Sequence, residues 1–198
     1  MIYFRIYWRY IKYILTEQLS GVSIHIYLLL FLFSFIAVNL IIFIYSKITG
    51  NKISKARRVL YVLLLLYAGF IFQVTFYRRL GDEKVGISLG INLGYYKGDF
   101  IAKRQLVYSI LNFLFFIPWG FLLSFFYKKN VKRIFMVTLL SFLSSSIIEI
   151  TQLLTHTGVF ETTDLLTNTV GGFAGSVIAS IFILLWNMVV NLRSNTNE

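Results

Sequence analysis

Charged residues and long apolar runs occupy almost separate parts of this 198-residue chain. Of its 19 Lys and Arg residues and 8 Asp and Glu residues, only Glu149 lies inside one of five apolar runs. A run of roughly 17–25 apolar residues is long enough to cross the hydrocarbon core of a membrane as a helix. The sequence therefore predicts an all-α, polytopic membrane protein with five transmembrane helices: Ile24–Tyr45, Leu60–Phe76, Ile110–Phe126, Ile134–Leu154 and Val170–Val190.

The composition excludes several other classes of protein. Hydrophobic residues make up 58% of the chain and charged residues 14%, which is too apolar for an ordinary soluble enzyme or a disordered chain. The absence of cysteine excludes a disulfide scaffold and a cysteine-ligated zinc site. Because there is also no nucleotide-binding loop and no strong metal-binding motif, we predict neither a cofactor nor a metal. The net charge of +11 fits basic loops beside anionic lipid headgroups better than nucleic-acid binding.

The N-terminal segment, residues 1–23, combines basic and aromatic side chains. Arg5, Arg9 and Lys12 share one helix face, and six aromatic residues surround them. Three cations would make a central membrane position costly, whereas the membrane surface suits both residue types. We therefore predict an amphipathic helix that lies on the membrane surface.

Two loops determine the predicted orientation. Lys128–Arg133 is short and strongly basic, whereas Thr155–Thr169 contains no Lys or Arg. Basic residues in short loops favour the cytoplasmic side. We therefore predict a cytoplasmic C-terminus, with the second and fourth loops outside the cell and the protein in the cell membrane.

Glu149 is the strongest candidate for a functional residue. An acidic side chain within a transmembrane helix is costly and by default indicates function. Four other polar residues follow its helical spacing and are expected on the same face: Ser141, Ser145, Gln152 and His156. The alternative is a polar stripe that forms hydrogen bonds with neighbouring helices.

A second group of candidates surrounds the start of the fifth predicted span. Asp164 and Asn168 are four residues apart and share a face if the helix has already begun. Asp164 could instead be a helix N-cap. Gly171 and Gly175 form a ridge of small residues with Ala179, which predicts close approach of another helix, with the Ser141 and Ser145 face as the expected partner.

The remaining candidates lie on the second and third predicted spans and the loop between them. Pro118, the only proline, is expected to kink the third span, and Asn112 is expected to be half-buried there. Arg78 is either a headgroup contact or an anion contact. In the predicted topology one set of polar residues shares the outer boundary and predicts an outward-facing polar pocket: Thr75, Arg78, Asn92, Asn112, Glu149, Gln152, Asp164 and Asn168.

Several of these segments resemble the VanZ-like family, which is named for a teicoplanin resistance protein of Gram-positive bacteria. The matching segments are Thr75–Arg78, Ile91–Leu93, Asn112–Gly120, Ile148–Gln152 and Asp164–Gly172 with Gly175. The resemblance covers residues 60–190, which we predict to form a four-helix membrane domain. Residues 24–59 add one helix and a basic loop, and residues 191–198 form a polar tail.

The resemblance implies a protein of the cell envelope that lowers susceptibility to teicoplanin-type glycopeptide antibiotics. Its polar pocket would bind a membrane lipid, a lipid-linked cell-wall precursor or the drug. One alternative is an intramembrane enzyme that modifies lipid or cell wall, with Glu149 and Asp164 as acid and base and His156 as proton carrier. The other is a small proton-coupled transporter with Glu149 as the relay.

Overall fold

A computed structural model of the chain describes residues 2–20, 23–76, 79, 84–92 and 100–195. The described residues form six helices, α1 (Ile2–Leu19), α2 (Ile24–Thr49), α3 (Lys55–Thr75), α4 (Phe100–Ser124), α5 (Asn130–Leu154) and α6 (Thr162–Asn195). Two strands, β1 (Lys84–Ser88) and β2 (Thr157–Glu161), complete the secondary structure. Helices α2 to α6 each contain a stretch long and apolar enough to cross a membrane. The prediction of five spans is therefore confirmed, and the protein is a multi-pass membrane protein.

The helices extend beyond the apolar runs because polar residues at their ends continue or cap them. Helix α2 continues through Lys47 to Thr49 and ends at Gly50, whose left-handed φ of 72° suits glycine. The next helix begins after Ser54, whose side chain accepts a hydrogen bond from the backbone N–H of Arg57 at 3.4 Å. The apolar runs mark only the middle of each helix.

The chain divides into two compact units, and the first comprises Met1–Ile87 and Thr151–Phe160. Within it, α2 buries Ser34, Val38 and Ile42, which are spaced by four residues, and exposes most of its other apolar side chains. In a membrane these exposed side chains contact lipid. Helix α1 forms as predicted, with Ile14 fully buried and Lys12 exposed. Its location at the membrane surface stays a prediction.

The second unit comprises Ser88–Ile150 and Glu161–Glu198, and α4 and α6 pack closely within it. A Cβ atom added to Gly171 would collide with the carbonyl oxygen of Phe113, and one added to Gly175 with that of Ile117. The glycine ridge therefore contacts α4 rather than the expected face of α5. The adjacent Gly172 is rotated by about 100° around the helix, and a Cβ atom added to it would collide with Ser141 of α5.

Pro118 lies inside α4, which continues on both sides of it from Phe100 to Ser124. Its missing N–H removes the hydrogen bond to the carbonyl of Leu114, as any proline within a helix does. The predicted kink stays a prediction. Two residues further along, Gly120 allows the backbone of Gly172 to approach so closely that a Cβ atom would collide with it.

The two-stranded sheet formed by β1 and β2 was not expected from the sequence. The two strands have five residues each and lie in the second and fourth loops between the predicted spans. In the first unit, Gly86 of β1 lies beside Val159 of β2, and a Cβ atom on Gly86 would lie 3.5 Å from the valine side chain. Pairing of the strands satisfies backbone N–H and C=O groups that would otherwise need water.

Candidate functional site

Glu149 is buried on α5, with 2% of its surface exposed. Its Oε2 atom accepts a hydrogen bond of 2.9 Å from the backbone N–H of Glu161, the residue that precedes α6. The first N–H groups of a helix have no partner within the helix, and the positive end of the helix dipole favours an anion there. The carboxylate of Glu149 thus lies where the start of α6 stabilises it.

Asn168 and Ser145 form a second buried contact, one turn before Glu149 on α5 and about two turns into α6. Ser145 is fully buried and Asn168 is 5% exposed. The Nδ2 atom of Asn168 donates a hydrogen bond of 2.9 Å to Oγ of Ser145. Its Oδ1 atom is buried and has no hydrogen-bond partner. A buried acceptor without a partner lowers the stability of the folded protein by about 1–3 kcal/mol. A hydrogen bond from a ligand or a water to this oxygen would remove that cost.

The polar face of α5 runs along α6 in the opposite direction. Ser141 contacts Gly172, Ser145 contacts Asn168, and Glu149 contacts the backbone just before Thr162. We call Ser141, Ser145, Glu149 and Asn168 the α5–α6 polar cluster. Its three α5 members lie on the helix face that the spacing predicts, Asn168 faces them from α6, and all four are buried.

The first turn of α6 also holds the segment 88–92. The hydroxyl of Thr163, which is 2% exposed, accepts a hydrogen bond of 2.9 Å from the backbone N–H of Asn92 and donates one of 3.4 Å to the carbonyl of Gly90. The hydroxyl of Thr162 donates a hydrogen bond of 3.3 Å to the carbonyl of Ser88. Asn92 is therefore held against the start of α6.

Asp164 lies in the first turn of α6, so the helix has begun before it, as the shared face with Asn168 requires. The residue before the helix is Glu161, and Asp164 is therefore not its N-cap. Its carboxylate nevertheless suits the positive end of the helix dipole. Both Asp164 and Asn112 are half-buried, the latter on α4, and Arg78 lies outside the described residues.

Gln152 belongs to a polar group in the first unit. It is 2% exposed, and its Nε2 atom donates a hydrogen bond of 3.2 Å to the carbonyl of Thr75, the last residue of α3. In β2, a Cβ atom on Gly158 would lie 3.2 Å from Oε1 of Gln152 and 2.8 Å from Nη1 of Arg79. The glycine thus leaves space for both side chains. The structure brings Gln152 to Thr75, with Arg79 beside them, and the shared outer level of the polar residues in the membrane stays a prediction.

His156 does not continue the polar face of α5. That helix ends at Leu154, and His156 is exposed with a left-handed φ of 59°. Its backbone N–H bonds to the carbonyl of Leu153 at 3.3 Å. A left-handed residue after the last turn is a common way to end a helix. The regular spacing through position 156 was therefore misleading.

Sequence reasoning missed the burial of Arg133, which it counted among the exposed charges of a basic loop. The side chain is 2% exposed and forms five hydrogen bonds at the start of α5. No pattern in the sequence separates it from its lysine neighbours. Among the described residues, no three His, Cys, Asp or Glu side chains lie close enough together to hold a metal ion.

Comparison with known proteins gives a match to one family model. Comparison with the curated proteins and with the solved structures found no match. The sequence model of the VanZ/LLP1 family matches residues 26–183. The match starts in α2. It therefore includes residues that precede the segment 60–190, in which the family motifs lie. Because it covers 158 of the 198 residues, the chain belongs to the VanZ/LLP1 family of membrane proteins.

Proposed function

We propose that this protein lowers susceptibility to teicoplanin-type glycopeptide antibiotics by binding a lipid-linked cell-wall precursor, a membrane lipid or the drug at the α5–α6 polar cluster. Teicoplanin resistance is the general association of the family. The observation that carries the proposal is the buried Oδ1 atom of Asn168, which has no hydrogen-bond partner. A ligand N–H or O–H group would satisfy this acceptor.

The chemistry of the cluster suits recognition of polar groups at the membrane. Glu149 and Asn168 supply oxygen acceptors, and cell-wall precursors and glycopeptides carry many amide and hydroxyl donors. Asn92 and Asp164, at the start of α6, are half-buried and therefore partly accessible to a ligand. We expect hydrogen bonding rather than proton transfer, so the shape and polarity of position 149 should matter more than its charge.

Substitution at Glu149 tests this proposal. We expect Glu149→Ala to abolish teicoplanin protection in a susceptible Gram-positive host, because it removes the acceptor that holds the start of α6. We expect Glu149→Gln to keep part of the protection, because its amide oxygen can still accept the hydrogen bond from Glu161. The measurement is the minimum inhibitory concentration of teicoplanin, normalised to the amount of protein in the membrane.

Glu161→Gln is the matched control, since it removes the same charge but keeps the backbone N–H that Glu149 binds. We expect it to retain protection. If Glu149→Gln were as inactive as Glu149→Ala at equal abundance, hydrogen bonding would not be sufficient. A Glu149-dependent change in the lipid or muropeptide profile on overexpression would then favour the intramembrane enzyme.

A further inference from the structure

Arg133 is a buried cation at the start of α5. Its Nε and Nη2 atoms donate to the carbonyl of Tyr127 at 3.1 and 2.9 Å, and Nη2 also donates to the carbonyl of Lys128 at 3.2 Å. Its Nη1 atom donates to Oδ1 of Asn130 at 2.8 Å and to Oγ of Ser180 at 3.2 Å. These bonds use all five N–H groups of the guanidinium.

All of these acceptors are neutral, so none of the described residues that bind Arg133 compensates its positive charge. Arg133 forms no ion pair with any described residue, and the segment from Phe126 to Ile134 contains no acidic residue. Burial of a charge without an opposite charge is costly. A bound anion close to this position would reduce that cost.

Two cavities flank Arg133, and they differ in polarity. The larger, of about 540 Å³, is mostly apolar, and its lining includes Phe125, Phe182 and Trp186 together with Lys128 and Arg133. The smaller, of about 260 Å³, is lined by polar as well as apolar residues, including Asn130 and Asn187, and again by Lys128 and Arg133. The larger volume is within the ~300–1,000 Å³ of ordinary ligand pockets. The two cations therefore lie where an apolar groove meets a polar one.

We propose that this site, which lies apart from the α5–α6 polar cluster, binds an anionic phospholipid. The acyl chain would lie in the groove of Phe125, Phe182 and Trp186, and the phosphate would lie beside Lys128. Lys128 is exposed and has an ammonium group that can donate to the phosphate. Arg133 would contribute its charge without direct hydrogen bonds, since its N–H groups are already used. Trp186 and Tyr127, which also lines this cavity, are of the two residue types enriched at membrane interfaces, which favours a lipid over a soluble anion.

Quenching of Trp186 fluorescence by brominated lipids tests this proposal. The measurement would use a Trp8→Phe, Trp119→Phe background, in which Trp186 is the one remaining tryptophan of the sequence. The Trp119→Phe change removes a buried indole N–H that has no hydrogen-bond partner. The full chain would be reconstituted into phosphatidylcholine vesicles with a small fraction of dibrominated phosphatidylglycerol or dibrominated phosphatidylcholine. We expect stronger quenching by phosphatidylglycerol, and a loss of about fivefold in its relative association constant with Lys128→Gln, the effect of one lysine near an anionic lipid.

Lys129→Gln and Lys132→Gln are the matched controls, because both residues are exposed, carry the same charge and line neither cavity. Lys128→Gln keeps the backbone carbonyl that Arg133 binds, so it should not disturb the fold. Equal quenching by the two lipids would overturn the proposal, as would equal losses for all three lysine variants. Loss of the preference on addition of excess inorganic phosphate would assign the site to a soluble anion and would also overturn it.

Discussion

At the scale of single residues, identical side chains on one helix face have different hydrogen-bonding states. Ser141 and Ser145 are both fully buried on α5 and one turn apart. Ser145 accepts a hydrogen bond from Asn168, whereas the Oγ atom of Ser141 has no partner. Removal of a hydrogen-bonded group leaves its partner unsatisfied, but removal of a group without a partner does not. The two serines should therefore contribute differently to stability.

We expect Ser145→Ala to lower the free energy of unfolding by about 1 kcal/mol, because Asn168 loses its acceptor. We expect Ser141→Ala to leave stability unchanged or to raise it, because it removes a buried hydroxyl that forms no bond. Unfolding in detergent, followed by circular dichroism, measures both. Equal destabilisation by the two variants would show that packing against Gly172, not hydrogen bonding, determines the contribution of Ser141.

Single residues also show where sequence reasoning succeeded and where it failed. The face that carries Ser141, Ser145 and Glu149 was predictable because helical spacing is a local property of the chain. The end of that face was not, since His156 follows the same spacing but lies beyond the end of α5 in a left-handed conformation. The burial of Arg133 depends on Ser180, 47 residues away, which no local pattern indicates.

At the scale of elements, α6 contacts α4 and α5 through two different faces, and adjacent residues of α6 belong to different faces. Gly171 and Gly175 lie against the backbone of α4, whereas Gly172 lies against Ser141 of α5. The pattern of small residues correctly predicted close approach of another helix. It could not identify the partner, because a shift of one position turns the face by about 100°, and the pattern contains no information on the neighbouring helix.

We expect Gly171→Ala and Gly175→Ala each to destabilise the protein by about 1–3 kcal/mol, since the added Cβ atoms would collide with backbone atoms of α4, which cannot move aside as side chains do. This is the net loss of stability, after the roughly 1 kcal/mol that alanine gains over glycine in a helix. Gly90→Ala is the control, because nothing lies within 4 Å of the added atom. Thermal unfolding of the three purified variants makes the comparison. If Gly90→Ala were as destabilising as the other two, the close helix contact would not be the cause.

At the scale of the whole molecule, hydropathy was sufficient to predict five membrane helices, because the membrane imposes the length and polarity of each span. It could not predict the strands β1 and β2, since strands of five residues carry little signal and their pairing joins distant segments. The contact of Asn92 with Thr163 bridges 71 residues and was unpredictable for the same reason. Hydropathy also leaves the orientation in the membrane as a prediction.

We expect Leu89→Cys to react with a membrane-impermeant thiol reagent in intact cells, and Val131→Cys to react only after permeabilisation, if the second loop is outside and the third inside. Both positions are well exposed, at 74% and 84%, and the chain has no cysteine of its own. Thr157, by contrast, is a poor labelling position because it is buried. The opposite labelling pattern would invert the topology and place the predicted polar pocket on the inner side.

The attachment of segment 88–92 to the start of α6 restricts substitutions differently on its two sides. Thr162 and Thr163 bind the segment only through its main-chain atoms, namely the carbonyls of Ser88 and Gly90 and the N–H of Asn92. Every residue except proline offers the same main-chain groups. For these three contacts, the segment can therefore change its side chains freely, whereas positions 162 and 163 must each keep a hydroxyl, which only serine could supply in place of threonine without loss of the attachment. Variation here is asymmetric, because the segment is free to diversify and the start of α6 is restricted to hydroxyl side chains.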